Sequence, residues 1–290
     1  MTAFSGLLVA ALITLIGSLA IAVAAALVNL VRQPTAERAV DGGGTDEAPR
    51  ISAMTTANAG VVLAAILLAG ALAARTAATG HAPWSNLHEF SAAFAFAVLA
   101  VYLGLVRRRP ISGLAPAVAA VAATLIGISL VQPDEVLPLV PALQAPLLLT
   151  IHVGTAMLAY AIGAVAFAAA IGEIAQRAGQ DRLRFLPSAA VCRAAAHRAA
   201  ILAFPILTAA IVLGSVWANL AWRSYWNNDP KELAAAATWL VYGGYLHVAG
   251  RRDRWAALSP WLLVLGFAAI VFTWLGAGLV FVGQHSYAGA

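Results

Sequence analysis

The sequence predicts an all-α, polytopic transmembrane helix bundle of about eight spans with its N- and C-termini extracytoplasmic, and three observations carry that expectation. Hydrophobic residues make up 62% of the 290 and charged residues only 10%, whereas a soluble domain carries roughly a quarter charged residues. Apolar runs recur at the length of about 20 residues that a helix needs to cross about 30 Å of hydrocarbon, without the alternation of a strand. Charge placement is the third: 14 of the 17 basic residues fall in the loops 32–57, 107–111, 172–198 and 251–259, leaving only Arg75, Arg223 and Lys231 elsewhere. That asymmetry is the positive-inside signal, so the net charge of +5 marks cytoplasmic loops and gives no reason to invoke nucleic acid. Soluble enzyme classes are excluded, because so few charged side chains cannot cover a soluble surface.

In chain order, the first run, 5–31, has no Lys or Arg before it, and its basic flank, Arg32, follows it. It is longer than the apolar region of a signal peptide, and the order of charge puts the N-terminus outside. Asp41-Gly42-Gly43-Gly44-Thr45-Asp46-Glu47 then reads as part of a flexible cytoplasmic linker, so that residues 1–57 form a first span plus linker and 58–290 the core. Spans at 58–76 and 88–106 follow, joined on the outer side by a loop with His81, Trp84 and His88, where a surface role is expected for both histidines. Arg107, Arg108 and Arg109 precede a span at 112–131. The next span, 147–171, begins near His152 and leads into the inner loop 172–198, where Cys192 is expected to be an inert thiol and His197 a solvated loop residue. Spans at 198–217, 232–250 and 260–281 complete the set, which returns the C-terminus to the outside. One cysteine excludes a disulfide framework or a two-thiol redox motif within this chain.

The densest chemistry lies in the external segment 217–232. Trp217, Trp222 and Trp226 are three of eight tryptophans, accompanied by Arg223, Tyr225, Asp229, Pro230, Lys231 and Glu232. An interfacial aromatic belt explains isolated tryptophans, but a belt does not require Asp-Pro-Lys-Glu. Asp229 as N-cap with Pro230 at the first helical position reads as the start of a helix. The segment is thus a shaped platform suited to a flat hydrophobic ring system, with an acidic edge held by Arg223 or Lys231. Topology brings His152 and His285 to the same side, which permits bis-imidazole ligation of an iron. Either imidazole taken alone reads as an ordinary interfacial histidine. Trp274 precedes His285 by eleven residues, about three helical turns, and is expected on the same face. His247 lies about 24 Å of helix from Lys231, deep toward the cytoplasmic leaflet, next to Gly243 and Gly244. It is either a functional intramembrane group or a histidine bonded to a neighbouring helix across a close glycine contact.

The stretch Trp217 to Glu232 resembles the tryptophan-rich haem-handling loop of the CcsA/ResC family of cytochrome c biogenesis. Tyr242-Gly243-Gly244-Tyr245-Leu246-His247 resembles the family's following span, Gly283-Gln284-His285-Ser286-Tyr287 its C-terminal histidine motif, and Leu149-Thr150-Ile151-His152-Val153 its other external histidine. Ser85-Asn86-Leu87-His88-Glu89-Phe90 is similar to an earlier loop, with His88 where a tyrosine is usual; Asn228 stands where the family usually has another Trp. The likeness covers roughly residues 80–290. It implies haem b as ligand or substrate, with His152 and His285 holding the iron externally and His247 an inner ligand. Delivery of haem to apocytochrome c for thioether formation, as a subunit of a cytochrome c synthase (haem lyase) in the bacterial plasma membrane, is the implied activity. The implied partners are a ResB-type membrane subunit, apocytochrome c and a thioredoxin-like thiol reductant, besides membrane lipids. A haem exporter without synthase activity, or a polytopic transporter of another substrate, are the alternatives left open by the residues.

Overall fold

The computed structural model describes residues 2–31, 47–108, 110–136, 138–144, 146–251 and 255–285. With no water inside a bilayer, a spanning backbone must satisfy its own hydrogen bonds, and helices do so. The described residues form α1 (Ala3–Val31), α2 (Glu47–Thr79), α3 (Leu87–Val106), α4 (Ala115–Leu130), α5 (Pro146–Ala178), α6 (Ala189–Trp222), α7 (Pro230–Ala249) and α8 (Trp255–Val271). From α8 the chain passes through a π-helical turn, Phe272–Gly276, into the short α9 (Ala277–Val280). No strand occurs among the described residues. Among the described residues, seven helices are long and apolar enough to cross a membrane. The remaining long helix, α7, carries Lys231 and Glu232 in its first turn and is correspondingly less apolar.

Successive helices pair most extensively, α1 with α2, α3 with α4, α5 with α6 and α7 with α8. The 33-residue α5 is the hub, packed against α3, α4, α6 and α8. Small residues let it be approached closely. A Cβ on Gly163 of α5 would stand 2.6 Å from the Tyr242 hydroxyl oxygen, and one on Gly266 of α8 would stand 2.8 Å from the same ring. Tyr242 of α7 therefore lies in a notch that two missing side chains create, and it is 1% exposed.

Polar clusters close both ends of the bundle. At the arginine-rich end, Glu173 is 1% exposed and pairs with Arg177 and Arg193, while the Gln176 amide donates to the Leu183 and Pro187 carbonyls and so staples the α5–α6 turn. At the aromatic end, Arg75 is not the free external cation expected from the charge count. Its Nε donates to Glu89 at 2.8 Å and its Nη1 to the Asp134 carbonyl at 2.8 Å, with the two charged side chains 4% and 1% exposed. His88 is likewise no surface residue: it is 2% exposed, donates from Nδ1 to the Ser129 carbonyl at 2.7 Å and lies edge-on to Phe4.

Three boundaries differ from expectation. The anticipated linker is helical from Glu47 onward, and its glycine run lies outside the described residues. Helix α6 starts at Ala189, so Cys192 is buried in it and His197 packs on Tyr245, with Nδ1 3.4 Å from the phenol oxygen. At the other end α6 runs to Trp222, which places the first six residues of the expected aromatic loop within its last turns.

Candidate functional site

The aromatic segment folds as its caps dictate. Arg223 ends α6 in a left-handed conformation (φ 61°), and residues 224–228 cross to α7. Asp229 is the N-cap expected from the sequence, and with Glu232 it forms a capping box: the Asp229 carboxylate accepts the Lys231 N–H, and Glu232 accepts the N–H groups of Asn227 and Asp229. Asn228 also has positive φ (55°), which asparagine tolerates better than tryptophan would, and its side-chain oxygen accepts the Trp226 indole N–H at 3.0 Å. The residue that departs from the aromatic pattern thus shapes the crossing and orients Trp226.

Beneath this crossing opens a mainly apolar pocket with about 1420 Å³ of free space, its mouth included. The start of α3, the α4–α5 connection and the facing ends of α5, α6, α7 and the π turn enclose it. Of the residues singled out in the sequence, His152, Trp217, Tyr225, Trp226, Lys231, Trp274 and His285 line the wall. Trp222 and Asp229 stand behind it, each touching His285. Arg223 and His247 are exposed and take no part in the wall.

The two imidazoles share one indole. His152 lies parallel to Trp217 within 8° at 6.1 Å between ring centres, and His285 is 5.7 Å from the same ring. Trp222 stands edge-on to both Trp217 and His285, at 4.7 and 4.8 Å. Each imidazole spends Nδ1 on a fixed acceptor: His152 on the Ala210 carbonyl at 3.0 Å, His285 on an Asp229 carboxylate oxygen at 2.7 Å. Carbonyl and carboxylate oxygens only accept, so Nδ1 carries a proton in both rings. Gly214 makes the first contact possible, since a Cβ there would be 2.6 Å from the His152 ring.

Asp229 gathers donors on both of its carboxylate oxygens. Besides His285 and the Lys231 N–H, it accepts the Gln284 N–H at 2.6 Å. Burial by itself would raise its pKa, but the hydrogen bond from His285, with those from the two backbone N–H groups, outweighs it and holds the carboxyl at about 2. Near neutral pH the group facing His285 is therefore an anion.

Trp274 is where the sequence placed it for a different reason. The helix does not run unbroken to His285: the π turn contains Trp274, and regular helix ends at Val280. The indole is 6% exposed, stacks with Phe90 at 6.4 Å and reaches the pocket through the π turn. Such turns recur at functional sites because the extra residue redirects a side chain. Sequence reasoning assigned no role to Trp84 or Phe90, which also line the wall. Their signal was the cluster Trp84 to Phe90 at the start of a span, on the same side as the tryptophan-rich segment.

His247 lies at the far end of α7, exposed. Between it and the pocket, Phe204 of α6 and Trp239 of α7 stack at 5.1 Å, and the Trp239 indole donates to Thr208 at 2.8 Å. Gly243, one turn before His247, faces this pair, with Phe204 3.4 Å from where its Cβ would be.

Fold and site together define a multi-pass helical membrane protein with a two-histidine aromatic pocket at one end of its bundle. The family model described as "Cytochrome C assembly protein" matches residues 84–285, and the chain belongs to that family. Its curated relatives are cytochrome c biogenesis proteins named CcsA. The one from Parasynechococcus marenigrum (strain WH8102) is 35% identical over 264 residues, covering 78% of this chain and 84% of that protein. The CcsA of Gloeothece citriformis (strain PCC 7424) is 31% identical over 304 residues, covering 85% and 90%. Among solved structures, "Cytochrome c Heme Lyase CcmF" superposes with a TM-score of 0.69 at 19% identity over 94% of this chain. That likeness is one of fold, and this chain spans 47% of the CcmF chain.

Proposed function

We propose that this protein binds haem in the pocket beneath the aromatic crossing, with His152 and His285 as axial ligands, and presents it to apocytochrome c for thioether formation. The observation that carries the reading is the pair of imidazoles beside Trp217 at the pocket wall, each ring fixed through Nδ1 by an acceptor. A flat apolar ring suits walls of Trp, Tyr and Leu, and Lys231 on the wall offers a cation for a propionate. Haem b supplies vinyl groups: each cysteine thiol adds across a vinyl C=C, sulfur bonding to one carbon and the proton going to the other, with no net oxidation. The protein's share is orientation and exclusion of competing ligands. Because both acceptor cysteines must be thiols and Cys192 is buried at the opposite end, the reading calls for a separate thioredoxin-like reductant.

In this reading the pocket faces the extracytoplasmic side of a bacterial plasma membrane, in line with the distribution of basic residues. His247 is an inner ligand completed by a ResB-type membrane subunit, which accords with its exposure on the outside of the bundle. The test is spectroscopic. Protein purified from haem-replete cells should show a low-spin haem spectrum, and His152→Ala or His285→Ala should lose haem and cytochrome c maturation. Added imidazole should restore much of both by filling the vacant axial position. A purified wild-type protein without a Soret band, or a double variant with normal haem content, would overturn the reading. Haem-loaded protein that never modifies an apocytochrome peptide with its partner present would leave export alone.

A further inference from the structure

We propose that Asp229 is a positioning residue that sets the tautomer and donor strength of His285, acting on bound iron only through that imidazole; this rests on the reading of His285 as a ligand. Asp229 does not line the pocket. Its carboxylate is 2% exposed and is pinned before the imidazole arrives, by the Lys231 N–H at 3.0 Å on one oxygen and the Gln284 N–H at 2.6 Å on the other. The same group therefore starts α7, anchors the segment that carries His285 and fixes the ring of His285. A carboxylate can only accept here, which commits a proton to Nδ1, and in this reading Nε2 is the nitrogen for the iron.

The consequence is an unequal pair of ligands. His152 leans on a neutral carbonyl, His285 on an anion. A negative partner on Nδ1–H draws the proton outward and raises the basicity of Nε2, so His285 is the stronger donor of the two. Nothing of this requires Asp229 to touch the ligand.

Separating positioning from capping needs a substitution that keeps the cap. Serine caps helices about as well as aspartate, yet it is too short to reach the His285 ring, so Asp229→Ser should leave melting behaviour close to wild type. In haem-free, ¹⁵N-histidine-labelled protein, the wild-type His285 signal should report protonation at Nδ1, and Asp229→Ser should shift it toward Nε2–H. Haem affinity should fall by about 10–100-fold, the range found when an outer partner of a metal ligand is removed, and added imidazole should bring back the low-spin spectrum. If Asp229→Ser does not fold, Asp229→Asn keeps bulk and cap while removing the charge; its amide oxygen still accepts from Nδ1–H, so the comparison there is haem affinity, expected to fall. An unchanged His285 signal in Asp229→Ser, or unchanged haem affinity in either variant, overturns the role of Asp229. A wild-type His285 signal as expected in a protein that takes up no haem overturns instead the functional reading, and the iron-directed part of this proposal with it.

Discussion

Lys231 and Arg223 sit eight residues apart and look interchangeable in the sequence, but the fold separates them: Lys231 is on the pocket wall, while Arg223 caps α6, exposed and outside that wall. A charge-assisted hydrogen bond contributes about 1.5–3 kcal/mol. Lys231→Ala should therefore weaken haem binding by about tenfold or more in titrations, and Arg223→Ala by little; equal effects would remove the propionate role from Lys231. The same scale shows what one residue's neighbours conceal from a sequence. His152, His285, Trp217 and the Asp229 N-cap are legible because motif and spacing specify them locally. Arg75 and Glu89 were not, since they meet only once α2 and α3 have turned back on each other. Read by loop, Arg75 was one of three outer cations; in the fold it is half of a buried pair whose partners also include two backbone carbonyls. His88 was misread for the same reason, because its cover comes from Phe4 and Ser129, both remote in sequence.

Among the elements, α6 departs furthest from its sequence reading. Residues 189–197 carry Arg193 and His197 and so read as loop, but five of the nine are alanine, the strongest helix former, and Arg193 finds Glu173 on α5 at 2.8 Å. Polarity there marks a helix that continues past the apolar region, not its end. The α5–α7–α8 junction makes a sharper prediction. Gly163→Leu would drive four carbons into space already held by Tyr242 and Ile270. Overpacking of this kind costs about 1–3 kcal/mol, so a lowered melting temperature is expected. Displaced α7 should also loosen the capping box and reduce haem retention, whereas Gly244→Leu, with open space beside it, should do neither. Equal behaviour of the two variants would show that the notch does not hold α7.

At the scale of the molecule, hydropathy made the bundle readable, because a bilayer leaves few alternatives to the helix. It could not give the interleaving of helices around α5, which depends on where small residues allow approach. Orientation is testable directly: reporters inserted at 179–188 should be active only in the cytoplasm, and those at 224–228 only outside. The opposite pattern would place the pocket on the wrong side for the proposed reaction. Distance along α7 supplies a second test. His247→Gly, expressed with a ResB-type subunit, should deplete haem at the outer pocket, while His152→Gly should leave haem held near His247; normal haem in the outer pocket of His247→Gly would return His247 to a lipid-facing or subunit-facing packing role.

Gly214 sets stability and use against each other. In a helix, alanine is more stable than glycine by about 0.5–1 kcal/mol, so any pressure for a sturdier α6 favours adding that one methyl. Here the methyl would fall 2.6 Å from the imidazole of His152, beside the Ala210 carbonyl that holds it. The ring would have to leave. Gly214→Ala should accordingly give a protein whose α6 is at least as well formed as wild type, with every ligand, tryptophan and charge intact, that has lost its haem. Thermostability screens run without a haem readout would select for this defect, and a variant library scored on both axes should find Gly214 at the corner where one rises as the other fails.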